Sequence, residues 1–190
     1  IAVVAGAALG VVAARGRALR RGLVVATCAE SRRVAGRAGD RLNRRITGAV
    51  VGDGRGLAAA LALGAEGINM GTRFCATVEA PIHQNVKQFI VDNDERGTNI
   101  IFKKFRNTAR VAKNSISDKV VEISAQPEAK FEDIHSYVAG AKGRVALETG
   151  DIDAGLIWAG QVQGLIRDIP TCQELIGRIM ADAENIIRGR

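Results

Sequence analysis

Aromatic residues, cysteine and proline are all scarce in this sequence. Its 190 residues include one Trp, one Tyr, five Phe, three Cys and three Pro. An odd number of cysteines with no Cys-x-x-Cys pair excludes a disulfide framework and a zinc ribbon, so no metal-binding residues are predicted and a reducing, cytoplasmic setting is favoured. Long apolar runs are also missing, since the longest, residues 1–14, is shorter than the ~20 residues of a membrane-spanning helix. No membrane association is predicted.

Lysine is absent from the first 55 residues, where arginine is abundant. This stretch holds eleven Arg against three acidic residues, whereas the remainder carries sixteen basic and seventeen acidic residues and every aromatic and proline. Ala, Arg, Gly and Val make up 41 of the 55 residues. The composition therefore divides the chain into an atypical Ala/Arg/Gly/Val-rich segment, residues 1–51, and an ordinary globular part, residues 52–190.

The atypical segment has three interpretations. Its four dominant residues are encoded by codons that begin with G or C, which favours out-of-frame or misassigned translation of GC-rich DNA. A disordered, solvated basic arm and a nucleic-acid-binding segment are the alternatives. Without aromatics there is no stacking platform for single strands, and arginines alone attract phosphate without reading sequence, so no specific nucleic-acid partner is predicted. The initial Ile, in place of Met, suggests a piece of a longer product.

From residue 52 onward, glycines separate regular elements. Gly52–Gly56 is a turn cluster that follows an expected strand, and Leu57–Leu63 is a strong helix former. The short apolar run Ile68–Met70 predicts a buried strand, after which Gly71 and Thr72 precede another helix with Thr72 as its N-cap. This strand–helix–strand–helix order is typical of a parallel sheet in an α/β protein.

Two successive glycine-rich loops between strand and helix favour a phosphate ligand. Glycine allows close approach of the backbone, and amides at a helix start carry partial positive charge. A plain tight turn is the alternative for Gly52–Gly56. The cluster is not a dinucleotide fingerprint, because Leu57 stands where the last glycine should be, and there is no Walker lysine.

The residues from Asp53 to Phe74 closely resemble the end of the barrel in the nitronate monooxygenase family, also called 2-nitropropane dioxygenases. The run reads Asp-Gly-Arg-Gly-Leu-Ala-Ala-Ala-Leu-Ala-Leu-Gly-Ala-Glu-Gly-Ile-Asn-Met-Gly-Thr-Arg-Phe. The resemblance continues through four further stretches: Ala76-Thr77 with Glu79-Ala80, Arg106–Arg110, Gly150–Gly155 and Ala159–Gln161. It covers roughly residues 52–190.

The resemblance implies a TIM-type (β/α)8 barrel that binds flavin mononucleotide (FMN) and oxidises alkyl nitronates with O2 to carbonyl compounds and nitrite. Residues 52–190 would then be the C-terminal part of the flavin-binding barrel domain, followed by a helical extension. A complete barrel takes about 250 residues and eight strands, so an incomplete barrel is expected. Two parallel strands with open edges leave self-association into a homo-oligomer open.

The resemblance also assigns residues to the flavin phosphate. It places the backbone around Asn69, Met70, Gly71 and Thr72 at this group. The family has a strand ending in Gly-Gly just before Asp-Gly-Arg-Gly, and those glycines also hold the phosphate. This chain has Ile-Thr-Gly-Ala-Val-Val at residues 46–51, which leaves Gly48 as the candidate there.

No catalytic residue is predicted. The family's general base is a histidine in an upstream glycine-rich motif, and the two histidines here, His83 and His135, lie instead in amphipathic helical patterns. We therefore expect the chain by itself to be inactive. Two alternatives remain: an FMN-dependent enoyl-thioester reductase-like enzyme, which shares Gly-Thr-Arg-Phe-like turns but needs a nicotinamide donor, and a non-catalytic basic fragment.

Two further patterns concern structure alone. Thr171-Cys-Gln-Glu174 is a capping box that opens a C-terminal packing helix. Residues 99–105 read as an extended piece, and residues 108–113 as a helix.

Overall fold

The computed structural model describes the backbone of residues 2–5 and the whole of residues 51–65 and 67–189. The chain divides into two compact units, Ile1–Ala80 with Pro170–Arg190, and Pro81–Ile169. The elements in chain order are β1 (Ala2–Ala5), α1 (Gly54–Ala62), β2 (Gly67–Met70), α2 (Thr72–Cys75), α3 (Gln84–Asp92), β3 (Thr98–Ile101), β4 (Ala109–Ala112), α4 (Ser115–Ala125), α5 (Phe131–Val138), α6 (Gly140–Thr149), a 3-10 turn (Gln161–Leu165) and α7 (Cys172–Arg188).

The first unit is built on a parallel pair of strands. β1 runs parallel to β2, with Ala2 opposite Gly67 and Ala5 opposite Met70. Parallel strands need a crossover connection, and α1 lies between them in the chain. The predicted helix at Leu57–Leu63 and the predicted strand at Ile68–Met70 are thus confirmed.

Close contact between α1 and α7 forms the core of this unit. Leu57 from α1 and Ile179 from α7 are buried in one cluster with Met70 of β2 and Phe74 of α2. Gly54 is required at the contact, because a Cβ there would lie 2.7 Å from the Ala183 amide nitrogen and 2.8 Å from the Ile179 carbonyl oxygen. The C-terminal helix is therefore part of the same core as the Gly-rich loop and its helix.

Of two further predicted details, one lies largely outside the described residues and one is corrected. The strand expected before Gly52 falls largely on residues 46–50, outside the described part, and Val51 and Gly52 are not in a strand. The N-cap of α2 is Gly71 and not Thr72, which is already the first helical residue. The helix begins one residue early because the Gly71 backbone is itself in the right-handed helical region.

The second unit combines a β-hairpin with short helices. β3 and β4 pair antiparallel, with Thr98 opposite Ala112 and Ile101 opposite Ala109. The helix predicted at residues 108–113 is wrong, because this stretch contains β4. Val111 and Ala112 are fully buried there, and pairing with β3 overrides the helix propensity of alanine.

The C-terminal helix forms as predicted. The Thr171 side chain accepts a hydrogen bond from the Glu174 amide at 3.2 Å, and the Glu174 carboxylate accepts one from the Thr171 amide at 2.9 Å. The α7 stripe of Leu175, Ile179 and Ala183 is buried. Within the described residues, none of the helices combines the length and apolar character that crossing a membrane requires.

Candidate functional site

The turn from β2 into α2 joins a buried strand to an exposed backbone. Side chains of β2 alternate, so Ile68 and Met70 are buried in the core cluster while Asn69 lies on the other face. Gly71, at the carboxyl end of the strand, is exposed, and Thr72 is half-buried. The four predicted residues thus run from the end of β2 into the start of α2, and the buried Met70 can offer a ligand only its backbone.

The polar groups of this turn are partly used within the fold. The amides of Phe74 and Cys75 donate to the Gly71 carbonyl oxygen at 3.0 and 3.1 Å, so neither is available to a ligand. The Asn69 Oδ1 atom, in contrast, is buried and has no hydrogen-bond partner among the residues that the structure describes. A buried acceptor of this kind costs free energy unless a donor arrives, so Asn69 Oδ1 could accept a hydrogen bond from a donor group but not from a phosphate dianion, whose oxygens only accept.

In the other glycine-rich loop, which precedes α1, the backbone amides already donate hydrogen bonds to the side chain of Asp53. Asp53 Oδ1 accepts hydrogen bonds from the Arg55 amide at 3.0 Å and the Gly56 amide at 3.2 Å, and Oδ2 accepts one from Arg55 Nε at 2.9 Å. Partial burial acts to raise the pKa of Asp53, but the bonds from Arg55 and Gly56 outweigh it and hold the pKa below its usual value. A carboxylate therefore occupies two amides that an anionic ligand would otherwise use.

Both histidines have structural surroundings. His83 is the N-cap of α3, and its Nδ1 accepts a hydrogen bond from the Asn85 amide at 3.1 Å. Its ring also covers Gly150, where a Cβ would collide with it. His135 packs edge-on against Phe131 at 6.1 Å between ring centroids. These contacts agree with the structural roles predicted for the two residues.

An asparagine that the sequence analysis missed holds part of the second unit together. Asn114 Nδ2 donates to the carbonyl oxygens of Ile152 and Gly155 at 2.7 and 2.8 Å, while its Oδ1 caps α4 through the Ser117 amide at 2.8 Å. Asp153 in the same turn accepts from the amide and hydroxyl of Ser115. These bonds fix the Gly150–Gly155 turn against α4. The signal was present as Asn-x-x-Ser before an apolar run, a capping-box pattern.

The remaining predicted residue, Gly48, lies outside the described residues. The strand that the structure does place beside β2 is β1, at the other end of the atypical segment. The sequence offered one signal for this, the repeated tripeptide Ala-Val-Val at residues 2–4 and 49–51.

Comparison with known proteins agrees with the resemblance drawn from the Gly-rich turns. The family model described as nitronate monooxygenase matches residues 45–182. The chain belongs to this family. A nitronate monooxygenase of Neurospora crassa is 30% identical over 73% of this chain and 37% of its own length. A (3aS,4S,5R,7aS)-5-hydroxy-7a-methyl-1-oxo-octahydro-1H-indene-4-carboxyl-CoA dehydrogenase of Rhodococcus jostii is 30% identical over 69% of this chain and 47% of its own.

Solved structures similar to this chain are those of TIM-type barrel flavoenzymes. FabK from Thermotoga maritima superposes with a TM-score of 0.68 and 33% identity, over 74% of this chain and 44% of that one. A nitroalkane oxidase of Streptomyces ansochromogenes superposes with a TM-score of 0.57 at 24% identity, a likeness of fold alone. The chain spans less than half the length of these relatives. The family and its neighbours are oxidoreductases.

Proposed function

We propose that the chain is the phosphate-binding, C-terminal part of an FMN-dependent nitronate monooxygenase, whose substrates are alkyl nitronates and O2. The observation that carries the proposal is the β2–α2 turn, where family motif and local geometry coincide. An exposed glycine backbone, that of Gly71, follows the buried residue Met70 at the end of β2 and leads into α2. In α/β proteins, ligands bind outside the carboxyl ends of parallel strands.

The residues of the turn fit a flavin phosphate. Gly71 offers exposed backbone without a side chain in the way, and Thr72 follows it as the first residue of α2. Met70 contributes its backbone, because its side chain is 2% exposed within the core cluster. FMN, when bound, would supply the redox chemistry of nitronate oxidation. The chain's own residues would bind the phosphate end and orient the group.

Substitution of Gly71 tests the assignment. FMN is titrated into the complete 190-residue chain and binding is followed by quenching of flavin fluorescence. We expect Gly71→Val to raise the Kd at least about tenfold, because a branched side chain blocks backbone approach, a loss of about 1.4 kcal/mol. Gly140→Val is the matched control, since Gly140 is exposed with nothing within 4 Å of an added Cβ. The Gly140→Val variant should bind FMN with the same Kd as the unchanged chain.

Each other outcome of the titration has a definite meaning. If Gly71→Val binds FMN as the unchanged chain does, the β2–α2 turn is not the phosphate site. If the unchanged chain itself binds no FMN, the flavin function proposed for it is wrong.

An enoyl-thioester reductase-like enzyme is the second candidate. It is favoured by the FabK structure, which has both a higher TM-score and a higher identity to this chain than the nitroalkane oxidase. A reductase of this kind takes its electrons from a reduced nicotinamide, whereas nitronate oxidation needs none.

Anaerobic mixing separates the two candidates. The FMN-loaded chain is combined with NADH, and the flavin absorbance band is followed. For a nitronate monooxygenase we expect the band to persist over the time in which free FMN is also stable. Bleaching that is faster than the free-flavin control would favour the reductase.

A further inference from the structure

The turn that joins β3 to β4 has an arginine at a position where proteins usually have glycine. The amides of Asn107 and Arg106 donate to the carbonyl oxygens of Phe102 and Lys103, each at 3.2 Å. These two bonds form the Schellman pattern that closes a helical turn, in which the last residue but one has a left-handed backbone. Arg106 occupies this position, with a φ of 54°. Any residue with a Cβ is strained there, because only glycine adopts this region freely.

Contacts within the second unit hold the neighbouring residues of the turn. Phe102, which also has a positive φ of 60°, is 8% exposed and packs in the core of that unit. The ring of Phe105 meets the ring of Phe131 edge-on, at 5.8 Å between centroids. Lys104 Nζ donates to two carbonyl oxygens in the segment after α4, at 2.6 and 2.7 Å. These contacts fix the turn against the rest of the unit, and the burial of Phe102 offsets its own strain.

Arg106 and Lys103 have no comparable contacts. Both residues are exposed, and neither side chain forms a hydrogen bond or an ion pair with any residue in the described part of the chain. Residues 102–108 contain three basic residues and no acidic one. The strain at Arg106 is therefore not offset by a polar contact of its own side chain. Backbone strain of this kind is concentrated at functional sites, where the strained conformation serves a ligand.

The charges of the turn fit a phosphate monoester. A guanidinium presents paired N–H donors that match two phosphate oxygens, and a second cation complements a group with about two negative charges near pH 7. An aromatic ring also lies beside the turn, since Phe131 contacts the rings of Phe102 and Phe105 and is still 42% exposed. Nucleotide bases stack on exposed aromatic side chains of this kind.

We propose that the β3–β4 turn is a nucleotide-binding site, in which Arg106 and Lys103 hold the phosphate and the base stacks on Phe131. The fixed turn positions the guanidinium before the ligand arrives, so less conformational entropy is lost on binding. All residues of the site belong to the second unit. The proposal therefore does not depend on the assignment of the flavin phosphate to the β2–α2 turn.

Replacement of Arg106 by glycine tests the site, because it should change stability and binding in opposite directions. Adenosine 5′-monophosphate (AMP) is titrated into the complete chain and the Kd is measured by calorimetry. We expect Arg106→Gly to raise the Kd at least about tenfold, because the bonds of the guanidinium are lost. The same variant should raise the thermal midpoint by at least about 2 °C, because glycine relieves the strain. Arg144→Ala removes another exposed arginine of this unit and should keep the Kd within about twofold.

Inorganic phosphate, as a second probe, separates the two halves of the site. Phe131→Leu removes the ring but keeps an apolar side chain, so it should weaken the binding of AMP and leave that of phosphate unchanged. If Phe131→Leu leaves AMP binding unchanged, the base does not stack there and the site is not one for nucleotides.

The remaining outcomes of the AMP titration also decide the proposal. It is wrong if the unchanged chain binds no AMP, or if Arg106→Gly binds AMP as tightly as the unchanged chain. Equal losses in Arg106→Gly and Arg144→Ala would show attraction to net charge alone and would overturn it too. Gly71→Val should leave AMP binding unchanged. Loss of AMP binding in Gly71→Val but not in Arg106→Gly would place the nucleotide at the β2–α2 turn instead.

Discussion

Gly54 and Gly177 are both helical glycines, but only one is needed for packing. A Cβ at Gly54 would collide with Asp182 and lie 2.8 Å from the Ile179 carbonyl oxygen, whereas nothing lies within 4 Å of one at Gly177. We expect Gly54→Ala to lower the free energy of unfolding by about 1–3 kcal/mol, because α1 and α7 must separate. Gly177→Ala should raise it by about 0.5–1 kcal/mol through helix propensity alone. Urea unfolding measures both.

Because the two substitutions are expected to change the free energy of unfolding in opposite directions, each serves as a control for the other. Both changes add the same methyl group to a helix, so a general effect of alanine would move the two midpoints in the same direction. A stabilising Gly54→Ala would show that the helices are not in close contact at this glycine.

The helix α1 depends on the carboxylate of Asp53 at its start. Replacement by Ala removes bonds to the Arg55 and Gly56 amides and should cost about 1 kcal/mol of the free energy of unfolding. Asn can still cap the helix but loses the charge, so Asp53→Asn should cost less. The ion pair between Asp53 and Arg55 is largely exposed and screened by solvent, so it contributes little to stability.

The charge of Asp53 also makes its contribution to the free energy of unfolding depend on pH. Because its pKa is lowered in the folded state, the stabilisation is complete above the unfolded pKa of about 3.9 and is lost as pH falls through the lower folded value. The difference in unfolding free energy between the unchanged chain and Asp53→Asn should therefore be constant near neutral pH and shrink in acid. A difference that grows as pH falls below about 4 would contradict this origin.

For the whole molecule, we expect no oxidation of nitronates by this chain alone. Its only two histidines are engaged in structural contacts, His83 as a helix cap and His135 against Phe131. Losing general base help typically costs about 10²–10⁴ in rate. The chain also spans less than half of its relatives. Oxygen consumption with excess FMN and a nitronate should equal that of free FMN. Faster turnover that disappears in His83→Ala or His135→Ala would identify a base within the chain.

The sequence alone predicts those helices and strands whose propensity and capping patterns lie within a few neighbouring residues. The helix at Leu57–Leu63, the strand at Ile68–Met70 and the α7 capping box at Thr171 were predictable, because propensity, alternation and cap chemistry act over one or two turns. The Gly-rich motif around Gly71 likewise indicates the family from the sequence alone. Which substrate or cofactor the residues bind stays a proposal.

Tertiary pairing decided the rest. Residues 108–113 favour a helix by their alanines, but β3 is available as a partner and the buried position of Val111 suits a strand. The bonds of Asn114 to Ile152 and Gly155 join residues far apart in the chain. Such contacts depend on how helices and strands pack in the tertiary structure, and no local sequence pattern specifies this packing.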